Sequence, residues 1–101
     1  FLIDRGVGSG QTWQDRTSSR ALNTTYTNSS GRTRFVSFNL VSIGTGNTTT
    51  TLEVNGTIVS SQTTTVAAQG VTHVTAIPSG STYRMFSPGN TNLNFCRELD
   101  A

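Results

Sequence analysis

Residues that could perform chemistry are few in this sequence: one histidine, His73, one cysteine, Cys96, and five carboxylates. With 12 serines in the chain, pairing His73 with one of them as part of a catalytic triad would be a coincidence of little weight. A metal site needs several ligands close together, and His73 and Cys96 are the only ones of the His/Cys type. The sequence therefore predicts no catalytic residue and no metal site. We expect His73 to be a packed or half-exposed strand residue and Cys96 a buried one.

The glycine-rich segment 6–10, GVGSG, has the glycine spacing of a phosphate-binding loop. It lacks the Lys-Ser/Thr pair of that motif, however, and no helix signal follows it. The seven cations are all arginines and are scattered, whereas nucleic-acid binding needs a basic stripe with stacking aromatic residues. The sequence therefore predicts no cofactor and no nucleic-acid partner.

Aromatic and arginine side chains near turns are the best candidates for contact with a ligand, because such residues stack on sugars or bind a partner surface. The candidate receptor-binding residues are Tyr26, Arg32, Arg34, Tyr83 and Arg84. The alternative interpretation is that they are ordinary surface residues. Trp13 has polar neighbours, but in so small a domain we expect it to anchor the core.

The polar composition of the chain favours β-strands, which would then position the candidate side chains. The 101 residues include 19 Thr, 12 Ser and 8 Asn but no Lys. Threonine is β-branched and fits a pleated sheet, whereas helix surfaces usually carry Glu, Lys, Gln and Ala. We expect one domain over residues 11–101, with residues 1–10 as a lead-in or linker. The apolar runs are far shorter than the roughly 20 residues of a membrane helix, so no membrane insertion is expected.

Turn signals recur at short intervals, and the strongest is Asn55-Gly56 between two β-favouring runs. It predicts a hairpin over residues 49–60. Further strands are predicted at 11–15, around Tyr26, and at 32–43, 62–67, 71–77, 81–86 and 93–99. Almost no helix is expected.

The segment 34–43, RFVSFNLVSI, is apolar on both faces. Val36, Phe38 and Leu40 share one face, whereas the opposite face carries Phe35, Val41 and Ile43. One interpretation is a central strand of a two-sheet sandwich with a bulge. The other is that Phe35, Val41 and Ile43 form a subunit interface.

Several segments resemble the C-terminal receptor-recognition domain of tail fibre proteins of tailed bacteriophages and prophages. The segment 10–32, GQTWQDRTSSRALNTTYTNSSGR, is similar to that family's opening block. The segments LEVNG (52–56), VTAIPSGSTY (74–83) and REL (97–99) follow in the family's order. Thr33 stands where the family commonly has proline, and Asn94-Phe95-Cys96 replaces an approach that contains tryptophan.

The resemblance implies a small all-β, antiparallel, jelly-roll-like β-sandwich that forms a homotrimer at the tip of a fibre, joined to an upstream tail fibre shaft. The implied function is non-catalytic attachment to a bacterial surface receptor, either lipopolysaccharide or other polysaccharide or an outer-membrane protein. The implied location is the virion, extracellular, after synthesis in the host cytoplasm.

Two other functions fit the composition. One is a carbohydrate-binding module of a secreted bacterial protein. The other is a purely structural trimerisation or decoration domain of a virion.

Overall fold

The computed structural model describes residues 10–44 and 47–100 of the chain. These residues form eight strands and one three-residue 3-10 turn, Thr17–Ser19. The strands are β1 (Thr12–Asp15), β2 (Thr25–Thr27), β3 (Arg34–Ser42), β4 (Thr48–Val54), β5 (Thr57–Thr64), β6 (Gly70–Ile77), β7 (Thr82–Phe86) and β8 (Thr91–Asp100). The predicted lead-in, apart from Gly10, lies outside the described residues.

The strands form two four-stranded antiparallel sheets. The first has the order β1-β8-β3-β6 and the second the order β2-β7-β4-β5. The pairs β1 with β8, β2 with β7, β3 with β6 and β4 with β5 are nested, as in one long hairpin rolled upon itself. This is the connectivity of an eight-stranded jelly roll. The all-β, jelly-roll-like sandwich predicted from the sequence is confirmed.

The core lies between the two sheets. The first sheet contributes Val36, Phe38 and Leu40 from β3, all with no exposed surface. Leu52 and Met85 cover them from the second sheet. Strict alternation along β3 turns its other face outward, as expected for a strand with one face in the core of a sandwich.

The hairpin at Asn55-Gly56 is confirmed. Both residues have positive φ, at 52° and 80°, as a two-residue turn of this kind requires. The predicted strand 62–67 is wrong in its bounds, because β5 runs without a break to Thr64. The Asn55 side chain also accepts a hydrogen bond from the Thr82 amide at 2.9 Å, which ties the turn to β7.

The irregularity predicted for segment 34–43 occurs where β3 pairs with β8. Asn39 pairs with Phe95 and Leu40 pairs with Leu93, so the extra residue is Asn94 on β8. The bulge therefore belongs to β8, and β3 keeps an unbroken alternation. Because β3 is a central strand, the inward side chains at its middle are apolar and buried. Phe35 and Val41, on its outward face, are half-buried.

Candidate functional site

On the outer face of the first sheet, side chains form rows that cross neighbouring strands, and three of these rows contain Phe35, Ser37 or Asn39 of β3. The first row is apolar and consists of Trp13, Leu99, Phe35 and Ala76. The second consists of Asp15, Arg97, Ser37 and Val74. The third consists of Phe95, Asn39 and Thr72. The face is therefore aromatic and aliphatic at one end and rich in amide and hydroxyl groups at the other.

A cleft of about 440 Å³ opens on this face. It is lined by Trp13, Ser37, Val74, Phe95 and Arg97. Ser37 is small and lies among larger side chains, so it leaves a hollow in the sheet surface. Trp13 is 52% exposed and Val74 is 54% exposed. The expectation that Trp13 anchors the core is therefore wrong: β1 is an edge strand whose alternation directs this side chain outward.

Arg97 lies with its guanidinium 4.2 Å from the centre of the Phe95 ring. It forms no salt bridge with a carboxylate of the described residues. Asp15 is its partner across the strands, but hydrogen bonds from the Thr17 hydroxyl and amide, at 2.6 and 3.0 Å, occupy the Asp15 Oδ1 atom. These bonds, with a smaller contribution from Arg97, lower the pKa of Asp15. Arg97 thus presents an exposed positive charge beside an aromatic surface.

The outer face of the second sheet has a similar arginine under different constraints. Arg84 lies 5.2 Å from the Phe86 ring and forms a salt bridge of 2.7 Å with Glu53. The cleft beside it has about 240 Å³. The charge of Arg84 is therefore already compensated within the chain.

His73 is a buried strand residue, as predicted, and joins the two sheets. Its Nε2 atom lies 2.9 Å from the Thr50 hydroxyl and its Nδ1 atom lies 2.7 Å from the Ser60 hydroxyl. Burial lowers the pKa of His73, which favours the neutral imidazole. Its two nitrogen atoms bind hydroxyl groups, without a carboxylate to orient the ring as in a catalytic triad.

A second polar cluster surrounds Glu98, which has no exposed surface. Arg20 donates two hydrogen bonds to its carboxylate, at 2.8 and 3.0 Å, and the Tyr83 hydroxyl donates a third at 2.8 Å. Arg34 lies 3.4 Å from Glu98 and 2.7 Å from Asp100. Arg16 lies 3.7 Å from Glu98, at the edge of the cluster.

The pKa values of the neighbouring groups follow from this arrangement. Burial alone would lower the pKa of Arg20, but Glu98 raises it well above its ordinary value. Burial and then Glu98 raise the pKa of Tyr83. The same two causes raise the pKa of Cys96 to about 12, so its thiol stays protonated at neutral pH. Cys96 is fully buried, as predicted, and a protonated thiol is a poor nucleophile.

The five predicted receptor-binding residues do not lie together on one surface. Arg34 is 8% exposed and Tyr83 is 1% exposed, so both belong to the interior cluster around Glu98. Tyr26 is half-buried beneath Arg20, with its hydroxyl accepting a hydrogen bond from the Ala21 amide at 2.8 Å. Arg32 is also half-buried. Only Arg84 among the five lies on an outer sheet face, in its salt bridge with Glu53.

Burial excludes direct receptor contact by Arg34 and Tyr83 in this structure. Both were predicted to be at the surface because a polar or tyrosine side chain beside a turn usually is. Their interior position depends on Glu98, which lies far along the chain. The predicted interface residues Phe35 and Val41 lie half-buried on the outer face of the first sheet, and Ile43 is 58% exposed directly after β3. Their role as an interface stays a prediction.

The sequence reasoning missed Phe95, Arg97 and Val74 as candidate site residues. The signal for the first two was the alternation of Phe95, Arg97 and Leu99, which places all three side chains on one face of β8. The sequence does not show clearly that this face is the outer one. The opposite face of β8 carries Cys96 and Glu98, and a glutamate normally lies on the outer face.

Comparisons of the chain with protein-family models, curated proteins and solved structures found no match. Among residues 10–44 and 47–100, no helix has the length and apolar character needed to cross a membrane. The same residues contain no group of three or more His, Cys, Asp or Glu side chains placed to hold a metal ion.

Proposed function

We propose that this chain is a non-catalytic recognition module at or near the tip of a phage or prophage tail fibre. It attaches the fibre to a bacterial surface polysaccharide or outer-membrane protein. The resemblance of its sequence segments to such tail fibre domains suggests this function, and the small jelly roll agrees with the fold that the resemblance implies.

The observation that carries the proposal is the contrast between closed interior and open outer face. His73, Cys96 and Glu98 have no exposed surface, so their reactive groups do not meet a substrate. The cleft beside Trp13 and Arg97, in contrast, presents aromatic surface and charge to the solvent. Such a surface suits binding without chemistry, because aromatic and arginine side chains dominate recognition energies.

Attachment through one shallow cleft would be weak, and the proposed trimer compensates for this. Three copies on one fibre raise the effective concentration of the second and third contacts after the first has formed. The module would act outside the cell, on the virion, after synthesis in the host cytoplasm. Light scattering tests the trimer, whose mass should be three times the 10.8 kDa of one chain.

The experiment that tests recognition is the binding of the 101-residue chain to a panel of Gram-negative strains. Biotinylated protein on fluorescent streptavidin supplies several copies, and flow cytometry measures the labelled cells. We expect some strains to be labelled and Trp13→Ala to reduce the labelling. Ile58→Ala is the matched control, since Ile58 is 57% exposed on the second sheet. Equal labelling by the two variants would contradict the proposed site.

A structural role is the second candidate function. Phe35 and Val41 are half-buried on the outer face of the first sheet, and a subunit interface would cover them fully. If Phe35→Ser dissociated a trimer while cell labelling never occurred, the module would be a trimerisation or decoration domain. A carbohydrate-binding module of a secreted protein would instead bind glycans as a monomer.

A further inference from the structure

The cleft on the first sheet has a composition that selects among ligands. We propose that it binds a carboxylate-bearing sugar residue of an acidic polysaccharide, with Trp13 and Phe95 as stacking surfaces and Arg97 as the carboxylate ligand. This assignment rests on the recognition function proposed above. It narrows the receptor to one chemical class.

The size of the cleft fits a small ligand better than a protein surface. Its volume of about 440 Å³ lies within the roughly 300–1,000 Å³ of small-molecule sites. A standard protein interface takes about 20–30 residues from each partner, whereas a handful of side chains line this cleft. Ser37 has the smallest side chain among the lining residues, which leaves room in the cleft for one side of a sugar ring.

Stacking explains the aromatic part of the site. The face of an aromatic ring is electronegative, and the C–H groups on one side of a sugar ring are weakly electropositive. Trp13 is 52% exposed although it is the largest side chain of the protein. A sugar ring placed against it would remove apolar surface from water while the sugar hydroxyls stay solvated.

Charge explains why the sugar should be acidic. Arg16, Arg20, Arg34 and Arg84 each form a salt bridge with a carboxylate of the chain. Arg97 forms none with the described residues, and its guanidinium lies 4.2 Å from the centre of the Phe95 ring. A planar guanidinium matches a carboxylate through two parallel hydrogen bonds. An apolar partner would instead remove this charge from water without forming a new ion pair with it, which is costly.

The neighbouring row supplies neutral polar groups on which the adjacent sugar of a chain would lie. Asn94 donates a hydrogen bond of 2.9 Å to the Asn39 Oδ1 atom, and Asn39 donates one of 2.9 Å to the Thr72 hydroxyl. Amide and hydroxyl groups exchange hydrogen bonds with sugar hydroxyls at a low desolvation cost compared with charged groups. The cleft and this row together form a path across the sheet.

Tryptophan fluorescence tests the proposal directly, because Trp13 is the single tryptophan of the protein. The 101-residue chain is titrated with trigalacturonate, with its fully methyl-esterified form, and with galactose 1-phosphate. We expect a saturable change in emission with trigalacturonate. The ester keeps the rings and loses the charge, so we expect it to bind at least about tenfold more weakly, the effect of one charge-assisted hydrogen bond.

Two substitutions separate charge from shape. Arg97→Gln should weaken trigalacturonate binding about tenfold or more and bring it to the level of the ester. Ile58→Ala, at an exposed side chain on the second sheet, is the control and should leave binding unchanged. Ser37→Leu places a larger side chain in the cleft and should abolish the binding of trigalacturonate and of its methyl ester. Circular dichroism verifies that each variant is folded.

The outcomes that overturn the proposal are distinct from those that overturn the recognition function. Equal binding of the acid and its ester, tighter binding of galactose 1-phosphate, or no emission change at tens of millimolar would overturn the acidic-sugar assignment. If cells were still labelled in a Trp13-dependent way, the recognition module would stand with another receptor. Sugar binding without cell labelling would keep the site and remove the fibre-tip function.

Discussion

Arg34 in the interior and Arg97 on the outer face of the first sheet are the same residue type under opposite constraints. Arg34 is 8% exposed and lies within 2.7 Å of Asp100 and 3.4 Å of Glu98. Arg97 is exposed and contacts an aromatic ring. The interior therefore uses arginine to compensate buried carboxylates, whereas Arg97 on the outer face forms no salt bridge with the described residues and is the arginine that we propose to bind an external anion. Residue type alone does not distinguish a structural charge from a binding one.

The largest expected loss in the free energy of unfolding comes from breaking the interior cluster at Glu98. Glu98→Gln removes the charge that compensates Arg20 and Arg34, and breaking a buried ion pair in this way costs about 3–5 kcal/mol. Glu53→Gln makes the same chemical change in the half-exposed pair with Arg84, where about 0–1 kcal/mol is expected. Urea unfolding measures both. Similar losses in the two variants would show that the interior cluster is no more important than a surface pair.

The next largest effect is a dependence of stability on pH through His73. Burial lowers the pKa of His73 in the folded chain below its ordinary value of 6.5. The unfolded chain therefore binds a proton first as the pH falls, and folding stability is full above about pH 6.5 and decreases below it. One proton gives a slope of at most about 1.4 kcal/mol per pH unit.

The control for this prediction is His73→Gln, measured by urea unfolding at the same pH values. The variant loses the contribution of this imidazole, so its stability should change less between about pH 7 and pH 5. Identical profiles for the two proteins would mean that His73 does not titrate differently in the folded and unfolded chains.

The smallest effects on the free energy of unfolding are expected for substitutions of the two arginines on the outer sheet faces. Arg84→Ala should cost up to about 1 kcal/mol, because it breaks the salt bridge with Glu53. Arg97→Ala should cost less, about 0.5 kcal/mol, since Arg97 forms no salt bridge with the described residues and loses only its exposed contact with the Phe95 ring. Thermal or urea unfolding distinguishes them. A larger loss of stability for Arg97→Ala than for Arg84→Ala would show that Arg97 has a structural role.

The sequence predicted those parts of the fold that depend on local preferences. Threonine-rich strands and the Asn55-Gly56 turn follow from the conformations of single residues and their neighbours. The interior position of Arg34 does not, because its partner Asp100 lies 66 residues away. Tyr83 likewise depends on Glu98, and the outward position of Trp13 depends on which strand β1 pairs with. The candidate site was missed because its lining residues come from four strands, β1, β3, β6 and β8, whose order in the sheet the sequence does not reveal.

The nested strand pairing also has a consequence for the time course of folding. Gln11 and Leu99 are 88 residues apart in sequence and hydrogen-bonded in the structure, and β8 lies between β1 and β3 in the first sheet. On the ribosome, β1 and β3 emerge before β8, the strand that lies between them in the folded sheet. Pairings of such large sequence separation form slowly, on the order of milliseconds to seconds. Until β8 arrives, the edges of β1 and β3 are open to strands of other chains, so this module is most prone to misassembly during synthesis.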